Sequence, residues 1–513
     1  MSVGRAASVA LQGLDGVLVE VEADVGRGLP GMHIGGLGDA AVAEARDRVR
    51  TAAVNSGLTW PRTKIVVSMS PASLRKHGSA FDVAIVCAVL SAGLDDADEA
   101  RGRLERTVLL GEVGLDGTVR PVQGILPAVI AARDAGLRWA VVPTANVAEA
   151  ALVDGIAVGG VSSLAQLWRW ALTGGGVDEP DGTRRDTETR EMPDMRDIHG
   201  QDAARRALEV VAAGGHHLFL SGPPGTGKSM LAARLPGILP PLGTAEALDV
   251  TAVHSVAGTA EGAAAGLITQ PPFVAPHHTV SAAALLGGGS GMPRPGAMSL
   301  AHGGVLFLDE VTLMPARVLD ALRTPLEQGE VVLLRSRHQV RYPCRVQLVM
   351  AANPCPCGAA EPGDCICPPG ARRRHMAAVS GPLRDRIDVQ LPIHPRHSMV
   401  RPEPGEESAS IRERVIAARE RGRARWEKLG IAGVTANSDV PGPVLRRRAP
   451  ADDAGMAYLE CRLAEQTVTQ RGVDRALRVA WTLADLDGRD LPTLEDVASA
   501  CDLHAAADGE VAA

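Results

Sequence analysis

The feature that most limits how this chain can fold is a glycine-rich loop near its centre. Eight consecutive residues match the pattern G-x-x-x-x-G-K-[S/T] completely: Gly222, Pro223, Pro224, Gly225, Thr226, Gly227, Lys228 and Ser229. An apolar run at 217–221 precedes the loop and a helix-forming run follows it, which is the context that a phosphate-binding loop requires. The segment therefore predicts an α/β domain whose loop amides and helix N-terminus face the phosphates of a nucleotide.

The lysine of this loop is one of very few in the chain. Of 53 basic residues, four are lysines: Lys64, Lys76, Lys228 and Lys428. The abundance of alanine, glycine and arginine indicates codon bias from a GC-rich genome, so a lysine at the motif position is informative. We expect Lys228 to pair with the β- and γ-phosphates of ATP, and the Ser229 hydroxyl to hold Mg²⁺.

Two further apolar runs end in polar residues. The first ends in Asp309 and Glu310, which predicts a buried strand whose tip enters the phosphate site, with Asp309 binding Mg²⁺ through water and Glu310 polarising the attacking water. The second, 346–352, ends at Asn353, which either orients that water or caps a turn before Pro354. This set predicts an additional-strand P-loop ATPase of the AAA+ class, with ATP and Mg²⁺ as cofactors.

Length and composition divide the chain into parts. Its 513 residues are enough for three domains at roughly 150 residues each. A glycine-rich, then acidic stretch predicts a linker, and a second polar break follows residue 396. We predict an α/β multidomain protein with an α+β N-terminal domain at 1–172, a linker at 173–196, an AAA+ P-loop core at 197–395 and a C-terminal helical lid at 396–513.

Charge and hydropathy exclude several classes of protein. With 45% apolar and 22% charged residues, the chain is not wholly disordered. No stretch approaches the roughly 20 apolar residues of a membrane helix, and the N-terminus has no apolar signal region, so we expect no membrane partner and a cytoplasmic location. The net charge of −7 means that contact with nucleic acid must come from a local basic patch.

Several longer segments resemble one family. They are Val274-Ala-Pro-His-His-Thr-Val-Ser, Leu322-Arg-Thr-Pro-Leu-Glu, Asn353-Pro-Cys-Pro-Cys-Gly and Gly111-Glu-Val-Gly-Leu-Asp-Gly. The chain resembles the YifB/ComM family of magnesium-chelatase-like AAA+ proteins over nearly its whole length. The resemblance implies a homo-hexameric ring with a Lon-protease-like, S5-like N-terminal domain. It also implies ATP-driven helicase work on branched or single-stranded DNA, as branch migration in recombination and natural transformation.

Similarity to AAA+ proteins assigns three more residues. The segment 197–201, which ends at Gln201, resembles the sequence motif that binds adenine in AAA+ proteins. Arg386 matches the position of the arginine finger, the arginine that one subunit of a ring supplies to the γ-phosphate bound by its neighbour. The nearby Arg384 is easily mistaken for it. Arg471 matches the lid arginine that contacts the nucleotide from within the same subunit.

A Lon-like domain raises the question of proteolysis. The position of the serine nucleophile is occupied by Ala80, with Ser79 beside it, and the segment 122–130, where the general-base lysine should lie, has no lysine. A serine without a base is a poor nucleophile at neutral pH. We therefore expect no catalytic dyad and interpret this domain as a ring-forming or DNA-contacting scaffold.

Four of the eight cysteines cluster as Cys355, Cys357, Cys365 and Cys367. In a cytosolic protein such a cluster favours a metal over disulfides, and Zn²⁺ is bound tetrahedrally by four thiolates at about 2.3 Å. The C-x-C spacing is tighter than the usual C-x₂-C. Structural Zn²⁺ is the favoured interpretation, while reduced thiols without metal and a redox-active cluster remain open.

The segment 330–342 predicts a β-hairpin immediately before the strand that ends at Asn353. Arg335, Arg337 and His338 near its tip are predicted to contact DNA phosphates, which gives affinity without sequence reading. The alternative is a solvated hairpin. The glycine-rich loop 285–291 is a second candidate for DNA contact.

Two rival functions remain on the sequence alone. One is the motor subunit of a magnesium chelatase, which inserts metal into a porphyrin but would not carry the Lon-like third of the chain. The other is an ATP-switched adaptor whose partner is a protein, with hydrolysis used only for release.

Overall fold

The computed structural model describes residues 3–36, 40–94, 98–180, 192–259, 266–289, 292–335, 338–359, 364–394, 405–431 and 433–505. Its strands are β1 (Val3–Gln12), β2 (Asp15–Gly26), β3 (Gly31–Gly35), β4 (Lys64–Ser70), β5 (Thr107–Leu109), β6 (Glu112–Val113), β7 (Val119–Arg120), β8 (Trp139–Pro143), β9 (Ala157–Val161), β10 (Leu218–Ser221), β11 (Phe273–Val274), β12 (Gly287–Gly288), β13 (Arg294–Pro295), β14 (Val305–Leu308), β15 (Glu330–Arg335), β16 (His338–Pro343), β17 (Gln347–Ala352) and β18 (Val389–Pro392).

The α-helices are numbered in the same way. They are α1 (Ala40–Asn55), α2 (Asp82–Ala92), α3 (Asp98–Glu105), α4 (Ile125–Asp134), α5 (Val147–Ala150), α6 (Leu164–Thr173), α7 (Asp202–Gly214), α8 (Lys228–Ile238), α9 (Thr244–Ala257), α10 (Ala282–Leu286), α11 (Ala297–Leu300), α12 (Ala316–Asp320), α13 (Arg323–Gln328), α14 (Pro369–Met376), α15 (Gly381–Arg384), α16 (Ser408–Lys428), α17 (Gly442–Arg447), α18 (Asp453–Ala464), α19 (Gln470–Leu486) and α20 (Leu494–Ala505).

The N-terminal part of the chain forms a mixed sheet of seven described strands in the order β3-β4-β2-β1-β5-β8-β9. The pairs β1–β2 and β2–β4 are antiparallel and the remaining pairs are parallel. Every residue of α2 is buried, because this apolar helix packs on β1 and β2. Burial alternates along β4, as expected for a strand with one face in a core.

The short hairpin of β6 and β7 turns at Asp116 and Gly117. Gly117 adopts a left-handed φ of 85°, which glycine tolerates without strain. The Asp116 carboxylate accepts hydrogen bonds from the Thr118 backbone N–H at 3.1 Å and from its hydroxyl at 2.7 Å. This aspartate turn fixes the register of the two strands.

The central sheet has five described strands, all parallel, in the order β11-β14-β17-β10-β18. Strands β10, β14 and β17 are buried along their whole length, since helices cover both faces of a parallel sheet. β17 lies between β10 and β14 and is the additional strand that the sequence predicted. All five strands end at one edge of the sheet, so the loops after β10, β14 and β17 meet there.

The C-terminal part of the chain is helical, as predicted. Helices α16 and α19 pack on each other and on α7, which precedes β10. The rings of Trp426 and Trp481 meet edge to face with their centroids 5.8 Å apart. The Arg425 guanidinium lies 3.8 Å from the centroid of the Trp481 ring and forms an ion pair with the buried Asp485. This core holds α19, which carries Arg471 in its first turn, against α7 and α16.

Several contacts join the N-terminal part of the chain to the central part, among them a buried hydrogen bond and a close approach of the β1–β2 turn to the hairpin. The buried Glu149 carboxylate accepts hydrogen bonds from the Ser255 hydroxyl on α9 and from the Leu126 backbone N–H on α4, the latter at 2.9 Å. Burial raises the pKa of Glu149, and these hydrogen bonds oppose that rise. At the β1–β2 turn, a methyl group built on Gly13 would lie 2.5 Å from Val340 Cγ1 on the hairpin strand β16. Within the described ranges, no helix combines the length and apolar character needed to cross a membrane.

Candidate nucleotide-binding site

The ammonium group of Lys228 lies inside the glycine-rich loop. Its Nζ donates to the carbonyl oxygens of Gly222 at 2.7 Å and Pro223 at 2.8 Å, and to Asn353 Oδ1 at 3.1 Å. The residue is 8% exposed; burial lowers the pKa of Lys228, and the nearby Asp309 and Glu310 carboxylates oppose that shift. Because all three of these acceptors are neutral oxygens, an anion entering the loop would meet a positive charge that forms no direct ion pair with any residue in the described ranges.

The residue after Lys228 faces the end of β14. The Ser229 hydroxyl donates to Asp309 Oδ2 at 2.7 Å, so the two oxygen ligands predicted for Mg²⁺ are in direct contact. A hydroxyl and a carboxylate are the hard oxygen donors that Mg²⁺ prefers, and this pair fits that ion. Asp309 Oδ1 accepts from the backbone N–H of Glu310 at 2.9 Å, which fixes the turn after the strand.

Glu310 has an unusual backbone. Its φ of 49° and ψ of 42° are left-handed, a conformation that costs a non-glycine residue about 1–3 kcal/mol and that clusters at functional sites. Its Oε2 lies 3.4 Å from His278 Nδ1, in the segment that follows β11. The strained turn therefore directs the carboxylate across the strand ends instead of along β14.

Gln201 lies at the N-terminus of α7 and contacts the loop. Its Nε2 donates to the Thr226 carbonyl oxygen at 3.1 Å. The Thr226 hydroxyl in turn donates to the Pro223 carbonyl oxygen at 2.8 Å, within the same loop. Gln201 Oε1 is buried and accepts no hydrogen bond within the described part of the chain. A buried acceptor without a donor fits a ligand that brings an N–H or O–H group, as an adenine nucleotide does.

The two arginines of the finger segment differ in their contacts. Arg386 forms an ion pair with Glu327 on α13, whereas Arg384 donates to a main-chain carbonyl oxygen at 2.7 Å. Arg471 Nη1 lies 3.4 Å from Asp385 Oδ2, and its side chain is 73% exposed. Burial and the neighbouring Arg471 lower the pKa of Arg386. Arg386 and Arg471 are thus neighbours on one face, and the within-subunit role of Arg471 stays a prediction.

The four clustered cysteines lie together. Their Sγ atoms are all within 4.8 Å of one another, with 3.2 Å between Cys355 and Cys357 and 3.6 Å between Cys357 and Cys365. The Cys355 thiol hydrogen-bonds to Cys357 and lowers the pKa of Cys357 to about 6. Cys367 completes the set. Four sulfurs at such separations suit a tetrahedral metal site.

The predicted hairpin is present as β15 and β16. The strands pair in register from Glu330 with Pro343 to Arg335 with His338. Arg337 lies outside the described residues, and for Arg335 and His338 the structure describes the backbone only. The second glycine-rich loop, which is the other candidate for DNA contact, lies beside the hairpin at Gly287. A methyl group built on Gly287 would be 2.9 Å from Leu333 Cδ1.

Sequence reasoning assigned no role to three residues that contact the site. His278 approaches Glu310, Glu327 pairs with Arg386, and His375 on α14 hydrogen-bonds to both Asn353 O and the Thr312 hydroxyl. His278 and Glu327 belong to segments that carried the family resemblance. That resemblance was the signal in the sequence that could have marked them.

In the N-terminal part of the chain, the Ser79 hydroxyl donates to a carboxylate oxygen of Glu112. The buried Lys76 ammonium donates to the main-chain oxygens of Met69, at 3.0 Å, and Pro71. Neither contact joins Ser79 to a lysine.

Comparison with known families agrees with this geometry. The model described as "Magnesium chelatase, subunit ChlI" matches residues 194–400, which contain the central sheet and the site residues from Gln201 to Arg386. The model "Subunit ChlI of Mg-chelatase" matches 21–146, and "Magnesium chelatase, subunit ChlI C-terminal" matches 405–504. Fold, site and family models together define a magnesium-chelatase-like AAA+ protein.

Three relatives match over almost their whole length. An uncharacterized protein of Mycobacterium tuberculosis (strain ATCC 25618 / H37Rv) is 52% identical, over 98% of both chains. The uncharacterized protein YifB of Escherichia coli (strain K12) is 37% identical, over 98% of this chain and 97% of that one. The competence protein ComM of Haemophilus influenzae is 36% identical, over 95% and 94%. The chain therefore belongs to the YifB/ComM family of magnesium-chelatase-like proteins.

Proposed function

We propose that this protein is an ATP-hydrolysing ring motor that acts on DNA, with helicase or branch-migration activity. The observation that carries the proposal is the meeting of Lys228, Ser229, Asp309 and Asn353 at one edge of the parallel sheet. Lys228 Nζ donates to Asn353 Oδ1 at 3.1 Å, and the Ser229 hydroxyl donates to Asp309 Oδ2 at 2.7 Å. The relative named for competence favours DNA as the substrate.

Each residue at this edge has a separable task. Lys228 exchanges its carbonyl partners for phosphate oxygens, and the amides of the loop and of the α8 N-terminus bind the same anion. Ser229 and Asp309 hold Mg²⁺, which neutralises phosphate charge when bound. Glu310 accepts a hydrogen bond from the attacking water and orients it. Asn353 accepts a hydrogen bond from Lys228 and so holds the ammonium group in position relative to that water. Gln201 contacts the nucleotide through its buried Oε1.

Hydrolysis in a homo-hexamer requires a second subunit. Arg386 is the group that we assign to the neighbour's γ-phosphate, and Glu327 is the anion that it meets within its own subunit. When two subunits assemble, Arg386 exchanges the Glu327 carboxylate for the neighbour's phosphate. The guanidinium is therefore paired with an anion both before and after assembly. Arg471, beside Asp385, completes the arginine set of this proposal.

The DNA-contacting surface is assigned to the hairpin tip and the adjacent loop. Arg335, Arg337 and His338 are the phosphate contacts of this proposal, supported by the antiparallel pairing that brings residues 335 and 338 to the tip. The contact between Gly287 and Leu333 supports a single surface made by both elements. β16 is joined by three residues to β17, and Asn353 follows the end of β17, so one continuous segment connects the DNA contact to the nucleotide site.

The domain limits belong to the same proposal. We assign residues 1–172 to a Lon-protease-like scaffold without a catalytic dyad, 173–196 to a linker, 197–395 to the AAA+ core and 396–513 to the lid. The contact of Glu149 with Ser255 supports a scaffold that bears on the core.

The deciding experiment measures the ATPase rate of the full chain alone and with single-stranded, forked and Holliday-type DNA. Stimulation by DNA, greatest with a branched substrate, supports the motor. An ATPase that no DNA stimulates contradicts it and favours one of two alternatives. The names of the family models favour a chelatase motor subunit, whose ATPase would respond to metal-insertion partners, and the other alternative is an ATP-switched protein adaptor.

Changing Arg335 and Arg337 together to alanine is expected to remove DNA stimulation while leaving basal ATPase within a few-fold. Each phosphate contact that is lost lowers the salt dependence of DNA binding by about one unit of slope, because fewer counterions are released. The measurements are ATPase with and without DNA, and DNA affinity across a salt series.

The matched control replaces Arg412 and Arg447, two exposed arginines on α16 and α17, by alanine. It changes the net charge by the same amount and should leave DNA stimulation intact. Full stimulation in the hairpin variant would move the DNA site elsewhere, with the N-terminal sheet as the first place to test.

A further inference from the structure

The cysteine cluster lies against the nucleotide site, and packing alone does not hold it. Ile366, the apolar residue between Cys365 and Cys367, is 89% exposed, so the second half of the cluster has no apolar anchor at that position. Cys355, in contrast, is buried at 4% exposure. A segment with one buried and three more accessible sulfurs, all within 4.8 Å, is the arrangement that a tetrahedral thiolate site stabilises.

The first link to the nucleotide site runs along the chain. Cys355 is the second residue after Asn353, whose side-chain oxygen accepts from Lys228 Nζ at 3.1 Å. Fixing the sulfur of Cys355 therefore limits where the Asn353 amide can lie. The amide in turn sets the position of the one lysine of the glycine-rich loop.

The second link is a direct contact. Gly358, inside the cluster, has a left-handed φ of 66°, and a methyl group built on it would lie 3.0 Å from Pro224 Cγ. The backbone of the cysteine loop is thus packed on the ring of a residue in the phosphate-binding loop. Glycine is required at this position both by its φ and by the closeness of Pro224.

The third link is a contact between the helix that follows the cysteine loop and Asn353, the residue that precedes the loop. Helix α14 begins two residues after Cys367, and its His375 Nε2 lies 3.2 Å from Asn353 O and 2.9 Å from the Thr312 hydroxyl. The loop that carries the four sulfurs is therefore closed at both ends on Asn353. Thr312 lies just after Glu310, so the same histidine also reaches the turn that carries the catalytic carboxylate.

We propose that the four cysteines bind one Zn²⁺ and that this metal-bound loop forms a wall of the nucleotide pocket, so that metal occupancy sets ATP affinity and turnover. The inference rests on the proposed binding of ATP at this site. The metal fixes Cys355 and Gly358, and through them the positions of Asn353 and Pro224. Loss of the metal frees the loop at its most exposed end and lets both contacts shift.

The experiment uses the full chain, purified from zinc-replete medium, and no DNA. Zinc content is measured by elemental analysis, ATP affinity with a fluorescent ATP analogue, and basal ATPase by phosphate release. We expect one Zn²⁺ per chain. Removal of zinc by a chelator should weaken ATP binding or turnover by about tenfold to a hundredfold, the scale of a misplaced positioning group, and added Zn²⁺ should restore it.

Two variants separate the metal from the contact. Changing Cys357 and Cys365 to serine should abolish zinc binding and reproduce the chelated state. Gly358→Ala keeps all four thiolates but presses on Pro224, so it should retain zinc and still weaken ATP binding. Cys461→Ser, an exposed cysteine on α18 outside the cluster, is the matched control and should change neither readout.

A zinc content near zero would reject the metal site. Complete loss of zinc with unchanged ATP affinity and turnover would reject the coupling, as would normal ATP binding by Gly358→Ala. Because none of these readouts involves DNA, a failed DNA-motor proposal leaves them unaffected. A wild-type chain that binds zinc but no ATP would instead overturn the proposed function together with the coupling.

Discussion

Replacing Lys228 by alanine is expected to abolish ATP binding, whereas Glu310→Gln should bind ATP and fail to turn it over. The first change removes the buried positive charge whose three observed acceptors are neutral oxygens, so the loop loses its strongest attraction for phosphate. The second keeps the shape of the side chain and the Ser229–Asp309 pair but removes the carboxylate that orients water. Loss of a general base costs roughly 10²- to 10⁴-fold in rate.

The measurements are the affinity for a fluorescent ATP analogue and the rate of phosphate release for each variant. Lys428→Ala, an exposed lysine at the end of α16, and Glu413→Gln, an exposed glutamate on the same helix, are matched controls that should behave as wild type. Turnover of Glu310→Gln close to the wild-type rate would show that another group orients the water. Because His278 lies near Glu310, it would be the next residue to replace.

The sequence was sufficient to predict which strands build the site. Apolar runs that end in polar residues are typical of buried parallel strands, and such strands all finish at one edge of the sheet. The phosphate-binding motif and that rule together predicted that Lys228, Asp309 and Asn353 belong to one site. The contacts of Ser229 with Asp309 and of Lys228 with Asn353 agree with that prediction. The hairpin could also be predicted, because its register follows from local alternation and a short turn.

The contacts that tune the site could not be predicted in this way. His278 and Glu310 are brought together by neighbouring strands, and Gly358 meets Pro224 across more than 130 positions of chain. No periodicity or spacing encodes such pairs, since they depend on how loops of irregular shape pack after the sheet has formed. The left-handed turn at Glu310 is a further case, because nothing in the residue type favours that backbone.

Replacing Arg386 by alanine is expected to leave ATP binding nearly intact and to lower hydrolysis by roughly 10³- to 10⁵-fold, the scale measured for arginines supplied across an interface. Within its own subunit this arginine forms an ion pair with Glu327, a carboxylate that it would exchange for the neighbour's phosphate. Arg384→Ala is the neighbouring control. Because its guanidinium donates to a main-chain carbonyl oxygen at 2.7 Å, its loss should affect local stability more than hydrolysis.

Mixed rings test whether Arg386 acts across the interface. An Arg386→Ala subunit can bind ATP but offers no finger, whereas a Lys228→Ala subunit offers a finger but binds no ATP. Where the first receives the finger of the second, one intact site forms, so the mixture should recover part of the activity that neither variant has alone. If no ratio of the two recovers activity and Arg384→Ala is the more damaged variant, the finger is Arg384.

Mixed rings also show whether Arg471 acts on the nucleotide of its own subunit or on that of the neighbouring subunit. If Arg471 serves the nucleotide of its own subunit, mixing Arg471→Ala with Arg386→Ala should restore activity. The Arg386→Ala subunit then keeps its own Arg471 and receives Arg386 from its neighbour. If Arg471 instead acts on the neighbour's nucleotide alongside Arg386, each interface of that mixture lacks one of the two arginines and activity should stay low. Mixing Arg471→Ala with Lys228→Ala should then recover activity, and the ion pair of Arg471 with Asp385, next to Arg386, would mark a two-arginine interface.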